Sequence, residues 1–271
     1  MLEYMLGFFS SCFANPSLLG IGLAIAFGAI WFTPYWTPIL KKPWAWAVLV
    51  GSAVLSLIAV TFIQIPLYIW AGQALNHFWS QEVLLSWILL AGIPQILVTG
   101  LVQEGSKLVP VVVYWWRSGK SISPGVGLAL GAVAGVGLGI FEAVWVHNSI
   151  FASGWTWAAV QTDGLIALAG FWGRFFTIAF HTASCAIAGW GLAKGWGWQF
   201  YLLAAFLHAI LNYSAVLIQS GVMTATQLEI FIAVWAVLVT GGALWLRWRK
   251  SAIADEEAGD TEDGVTYQDQ V

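Results

Sequence analysis

The sequence predicts an all-α, polytopic membrane helix bundle of about seven transmembrane helices. Three observations lead there. Charged residues make up 8% of the 271 positions and hydrophobic residues 60%, whereas a soluble domain is roughly 25% charged. Seven apolar runs are each long enough to cross a bilayer. The basic residues fall in every second connection between those runs. A water-soluble globule could not cover its surface with so few charges, and a mean hydropathy of +0.81 excludes a disordered chain.

A spanning helix needs about 20 apolar residues. Such stretches lie at 18–39, 45–70, 83–116, 124–146, 164–193, 197–219 and 227–246. They are too long for strands, which rarely exceed about 10 residues. The third contains Pro94 and has Pro110 near its end. The fourth carries Gly125, Gly127, Gly131, Gly135, Gly137 and Gly139, and small residues let helices approach closely in a membrane. Lys41 and Lys42 lie between the first two spans, Arg117 and Lys120 between the third and fourth, and Lys194 between the fifth and sixth. Arg247, Arg249 and Lys250 follow the seventh, while 71–82, 147–163 and 220–226 hold no Lys or Arg. This alternation predicts an N-terminus outside and a cytoplasmic C-terminus in a multi-pass protein of the cell membrane.

The remaining regions read simply. Met1–Asn15 has Glu3 and no basic cluster, so a cleaved signal peptide is not expected. Residues 1–250 form the membrane domain; the acidic stretch 251–271 is expected to be a disordered cytoplasmic tail. Nineteen tryptophans suit the interfaces of a bilayer. No basic block is long enough to bind nucleic acid. Cys12 and Cys185 provide neither a disulfide framework nor a zinc ribbon. His77 and His147 fall in expected outer loops and read as ordinary surface residues.

Glu104, Lys107, Glu142, Arg174, His181, His208 and Asn212 lie inside the spans instead. An ionisable side chain at mid-span costs about 2.5–3.5 kcal/mol on insertion scales, so each asks for a function. At 1.5 Å rise per residue, Glu104 and His181 are both roughly 20 Å from the basic end of their spans. His208 and Asn212 come at roughly 17 and 23 Å, and Glu142 at roughly 27 Å. Spans three to six are therefore expected to line a polar, water-filled cavity. Glu104 and Lys107 are spaced to pair along one helix, and His208 and Asn212 face the same way.

These residues carry a resemblance. Gln103-Glu104-Gly105-Ser106-Lys107 resembles the EExxK motif of the PrsW-type intramembrane proteases, relatives of the CAAX-processing and bacteriocin-processing enzymes. Gly135–Glu142 resembles their glycine-rich second motif, Arg174 with His181 the third, and His208-Ala209-Ile210-Leu211-Asn212 the fourth, HxxxN. The order matches over about 95–215. Gln103 stands where the motif has its first glutamate, and Ala143 where an asparagine often follows the second-motif glutamate.

The resemblance implies an intramembrane endopeptidase that cuts a membrane-anchored protein in the lipid bilayer. Glu104 and His181 would activate water, Glu142 would share a proton with them, and His208 and Asn212 would bind the oxyanion. Lys107 and Arg174 would balance charge, with Gln103 in support. Three alternatives remain open: a zinc site on Glu104, Glu142, His181 and His208, a non-catalytic relative that binds membrane helices, and a proton-coupled transporter.

Overall fold

The computed structural model describes the backbone of residues 1–263 and the side chains of 1–249. Twelve α-helices follow one another: α1 Leu2–Ser11, α2 Leu18–Phe32, α3 Pro43–Ala59, α4 Ile65–Phe78, α5 Gln81–Ser86, α6 Ile88–Ala91, α7 Ile93–Arg117, α8 Pro124–Ala152, α9 Trp157–Asp163, α10 Ala169–Ala193, α11 Gly197–Gln219 and α12 Ala225–Asp263. No strand occurs among the described residues. Seven helical stretches are long and apolar enough to cross a membrane: Leu18–Tyr35, Pro43–Phe78, Ile88–Arg117, Pro124–Ala152, Trp157–Ala193, Gly197–Gln219 and Ala225–Arg249. They coincide in number and order with the seven expected spans. Of the stretch expected as an unstructured tail, 264–271 lies outside the described residues; before it, the backbone of α12 is helical as far as Asp263.

Local chemistry sets the boundaries. Ser17 and Ser123 cap α2 and α8, each hydroxyl accepting a backbone N–H three residues on, from Gly20 and Val126. Pro124 follows Ser123 at the first helical position, where its missing N–H costs nothing. Gly195 (φ +81°) turns the chain between α10 and α11, a left-handed conformation that costs glycine little. The second span does not run as one uniform helix. Pro66 has no N–H to give and its ring crowds the preceding turn, and a π-helical segment, Val60–Gln64, absorbs the mismatch between α3 and α4.

α8 and α10 form the centre. In the most apolar 18 residues of these two spans 78% of positions are buried, against 28% in the first and seventh. Their antiparallel contact is the most extensive in the bundle, and glycine makes it possible. A Cβ added to Gly127 would fall on the Gly189 carbonyl, one at Gly131 on the Cys185 carbonyl, and one at Gly135 on the His181 carbonyl. Each step of four along α8 is matched by a step of four back along α10, so the two backbones touch along a continuous stripe. Gly100 brings α7 against Ala205 of α11, and Gly137 brings α8 against Leu49 of α3, in the same way.

Several expectations need correction. The third span begins as the short helices α5 and α6, and α7 then runs through Pro110 to Arg117. α8 continues to Ala152, which carries His147 into the bundle rather than into a loop. His147 is fully buried between Phe27 and Phe171, with Nδ1 3.1 Å from the Gly20 carbonyl. It is a packing residue because the glycine-rich helix has no stop signal before Ser153. His77 is exposed, on the last turn of α4. The N-terminus forms a helix, and Phe8 and Phe13 pack on Trp145 and Phe141, either side of Glu142.

Gly131→Val places a branched side chain against the α10 backbone and is expected to destabilise the protein by about 1–3 kcal/mol or more. Gly241→Ala, where a Cβ meets nothing within 4 Å, is expected to leave stability unchanged or raise it by up to about 1 kcal/mol. Thermal unfolding in detergent micelles measures both; equal destabilisation would contradict the stripe.

Candidate functional site

Helix geometry brings the intramembrane polar residues together. Side chains on a helix lean toward its N-terminus. α7 and α11 are antiparallel and touch at Gly100 and Ala205. Glu104, one turn after Gly100, and His208, three residues after Ala205, both lean back to that level and meet there. The same rule operates between α8 and α10. Gly139 abuts Ile178; Glu142 and His181, each three residues further along its own helix, lean back to that contact and meet.

The result is one chain of hydrogen bonds across four helices. His208 Nδ1 lies 2.7 Å from Glu104 Oε1. Lys107 Nζ donates to the same oxygen at 2.5 Å and approaches His181 Nδ1 at 3.1 Å. His181 Nε2 is 3.1 Å from Glu142 Oε2, and Arg174 Nη1 is 3.6 Å from that oxygen. An ammonium only donates, so His181 Nδ1 accepts and its proton sits on Nε2, directed at Glu142. A carboxylate only accepts, so His208 carries a proton on Nδ1. Two carboxylates face one ammonium and one guanidinium, which balances the charge of the site.

Exposure falls along the chain. The side chains of Arg174 and Glu142 are 25% and 21% exposed, His181 is 3% exposed, and Glu104 and Lys107 are fully buried. The four residues Glu104, Glu142, His181 and His208 are thus united with Lys107 and Arg174, as their common depth suggests. The arrangement differs from the expected open cavity, however. The polar tips are packed on one another, and only the Glu142–Arg174 end keeps partial exposure. Glu104 and Glu142 do not share a proton, because Lys107 and His181 stand between them. Asn212 is half-buried and makes no side-chain hydrogen bond among the described residues. Gln103 turns away from the cluster and donates to Gln64 Oε1 at 3.2 Å. Cys185 is buried and free, and Cys12 is free too.

Two sets of partners escape a reading of the sequence. Ser184, one turn after His181, reaches both Glu104 oxygens at 3.3 and 3.4 Å; its i, i+3 spacing from His181 is the signal for it. Gln64 in the π segment bonds Gln103 on one side and Tyr68, 3.0 Å away, on the other. Tyr68 in turn bonds Thr99. A lone amide in an apolar run was the available clue.

Glu104, His181 and His208 each place one ligand atom within 4.8 Å of the others, a donor set of the type zinc takes. Glu142 is not part of that trio. Lys107 is bonded to two of the three and already supplies the positive charge. A divalent ion among the same atoms would meet the ammonium at close range, so the trio fits a metal only with Lys107 displaced or neutral. Comparison with protein-family models, curated proteins and solved structures yields no match.

Lys107→Met leaves the buried Glu104 carboxylate without its ammonium and is expected to cost about 3–5 kcal/mol. Adding Glu104→Gln removes the stranded charge and is expected to restore most of that loss. Chemical denaturation in micelles tests the pair; losses that simply add would contradict a direct bond.

Proposed function

We propose that the chain is an intramembrane peptidase of the cell membrane, with its N-terminus outside, that hydrolyses a membrane-anchored protein without a metal. The observation that carries this reading is the His181–Glu142 pair: a proton-carrying imidazole and a carboxylate in contact, at the one part of the buried chain that retains exposure. The resemblance of the four motif segments to PrsW-type proteases supports the same reaction class. Gln103 does not weaken it, because that position faces Gln64 and its amide leaves the charged chain complete.

The geometry moves the expected roles. Glu104 accepts from Lys107, His208 and Ser184 and is sealed from water; it is an anchor. Glu142 Oε2 is engaged by His181 and Arg174, leaving Oε1 to take a proton from water. The hydroxide so formed attacks the scissile carbonyl carbon, and Arg174 balances the oxyanion. His181 Nε2–H protonates the leaving nitrogen as the C–N bond breaks, and Lys107 refills His181 through Nδ1. The proton held by Glu142 then returns along the same path, restoring the starting state.

A second reading, proton-coupled transport, is favoured by the unbroken ionisable chain from partly exposed Glu142 to buried His208. Reconstituted protein with single-span substrates separates the two. Glu142→Gln and His181→Ala are each expected to slow cleavage by about 10²–10⁴-fold, with no proton flux in either the native or the variant protein. Cleavage unchanged in both variants would overturn the peptidase, and pH-driven flux lost in Glu142→Gln would establish the transporter.

A further inference from the structure

Away from the charged chain, a cavity of about 320 Å³ opens between α4, the α5–α6 segment, α7 and α11. Its polar lining consists of Tyr68, Asn76, Gln81, Gln95 and Gln219, with no Lys, Arg, Asp or Glu. Asn76, Gln81 and Gln219 are exposed at its rim and Gln95 is half-buried, and none of the four amide side chains hydrogen-bonds another described residue. Each amide can both donate and accept. Tyr68 ties the cavity to the interior: its hydroxyl bonds Thr99 and accepts from Gln64, and Gln64 bonds Gln103, the residue before Glu104. A line of neutral hydrogen-bonding groups therefore runs from the cavity as far as Gln103, whose side chain turns away from the charged chain.

We infer that this cavity binds an extended, unwound peptide segment of a membrane-anchored protein; the inference rests on the peptidase reading and names where its substrate lies. A helix that unwinds in hydrocarbon exposes N–H and C=O groups that need partners at once. Unpaired amides offer both partners, interleaved with apolar side chains such as Ile88 and Val216. A phosphate or ammonium headgroup would find no opposite charge there. The volume lies at the lower end of the roughly 300–1,000 Å³ usual for ligand sites, suited to a few residues of chain rather than a whole helix.

The test uses the full-length Glu142→Gln protein in phosphatidylcholine vesicles, with p-benzoylphenylalanine in place of Ile88, which lines the cavity. A control carries it in place of Phe206, which is exposed in a groove formed by α7, α11 and α12. The probe is a synthetic helix of about 20 apolar residues ending in a Gly-Pro-rich extended segment. Photolabelling is expected to be strong from position 88 and weak from 206. It is expected to fall by up to about tenfold when Gln95→Leu and Gln219→Leu remove two amides. Equal labelling from both positions, no labelling, or labelling indifferent to the amides would overturn the inference. Cleavage of the probe by the native protein is read separately. Cavity labelling without cleavage retains the peptide site and removes the peptidase, and cleavage without cavity labelling does the reverse.

Discussion

Lys107 is fully buried among helices that are otherwise apolar. An ammonium so placed is tolerable only if protein replaces its water. Glu104 and His181 do so at 2.5 and 3.1 Å, and most of the site follows from that requirement. Because Lys107 must donate to His181 Nδ1, the imidazole proton is forced to the far nitrogen and so toward Glu142. Because Glu104 must neutralise Lys107, it is held in place by His208 and Ser184 rather than left free to act on water. One buried cation thus divides two chemically identical carboxylates into an interior anchor and a partly exposed group.

The backbone supplies the distances. Direct contact of α8 with α10 through Gly127, Gly131 and Gly135 leaves no side-chain layer between these helices, so Glu142 and His181 can bridge what remains. The same stripe fixes register, since a one-residue slip would drive a Cβ into a carbonyl oxygen. A fold organised in this way holds its polar groups by main-chain packing, with little room for the site to open. A substrate of the proposed peptidase would then approach from the flank. The glutamine-lined cavity beside α7 and the partial exposure of Glu142 are two such flanks.

Much of this was legible because a bilayer is an unforgiving solvent. Seven apolar runs announce seven helices, and Glu104, Lys107, Glu142, Arg174, His181 and His208 stand out against hydrocarbon. Helical rise alone placed Glu104, Glu142, His181 and His208 at similar depth, and the structure joins these four with Lys107 and Arg174. What depth could not give was rotation. Gln103 adjoins Glu104 yet points 100° away around the helix, toward the Gln64 that the π segment presents. Asn212 shares a face with His208 but stands a turn further along, without a hydrogen-bonded side-chain partner among the described residues. His147 was misplaced because a helix that could have stopped at 146 continues to Ala152. The order of groups along the chain was also hidden. Lys107 and His181 separate the two carboxylates in space, an order that no sequence spacing encodes.

The protonation pattern of the two buried histidines tests the account most directly. In nitrogen-15 NMR of histidine-labelled protein in lipid nanodiscs, with single-histidine variants for assignment, His181 is expected to carry its proton on Nε2 while Nδ1 shows the signature of an acceptor. His208 is expected to carry a proton on Nδ1. Lys107→Met is expected to change the His181 signals more than those of His208. A His181 protonated on Nδ1, or one averaging between tautomers as in water, would contradict the bond from Lys107 on which the arrangement depends.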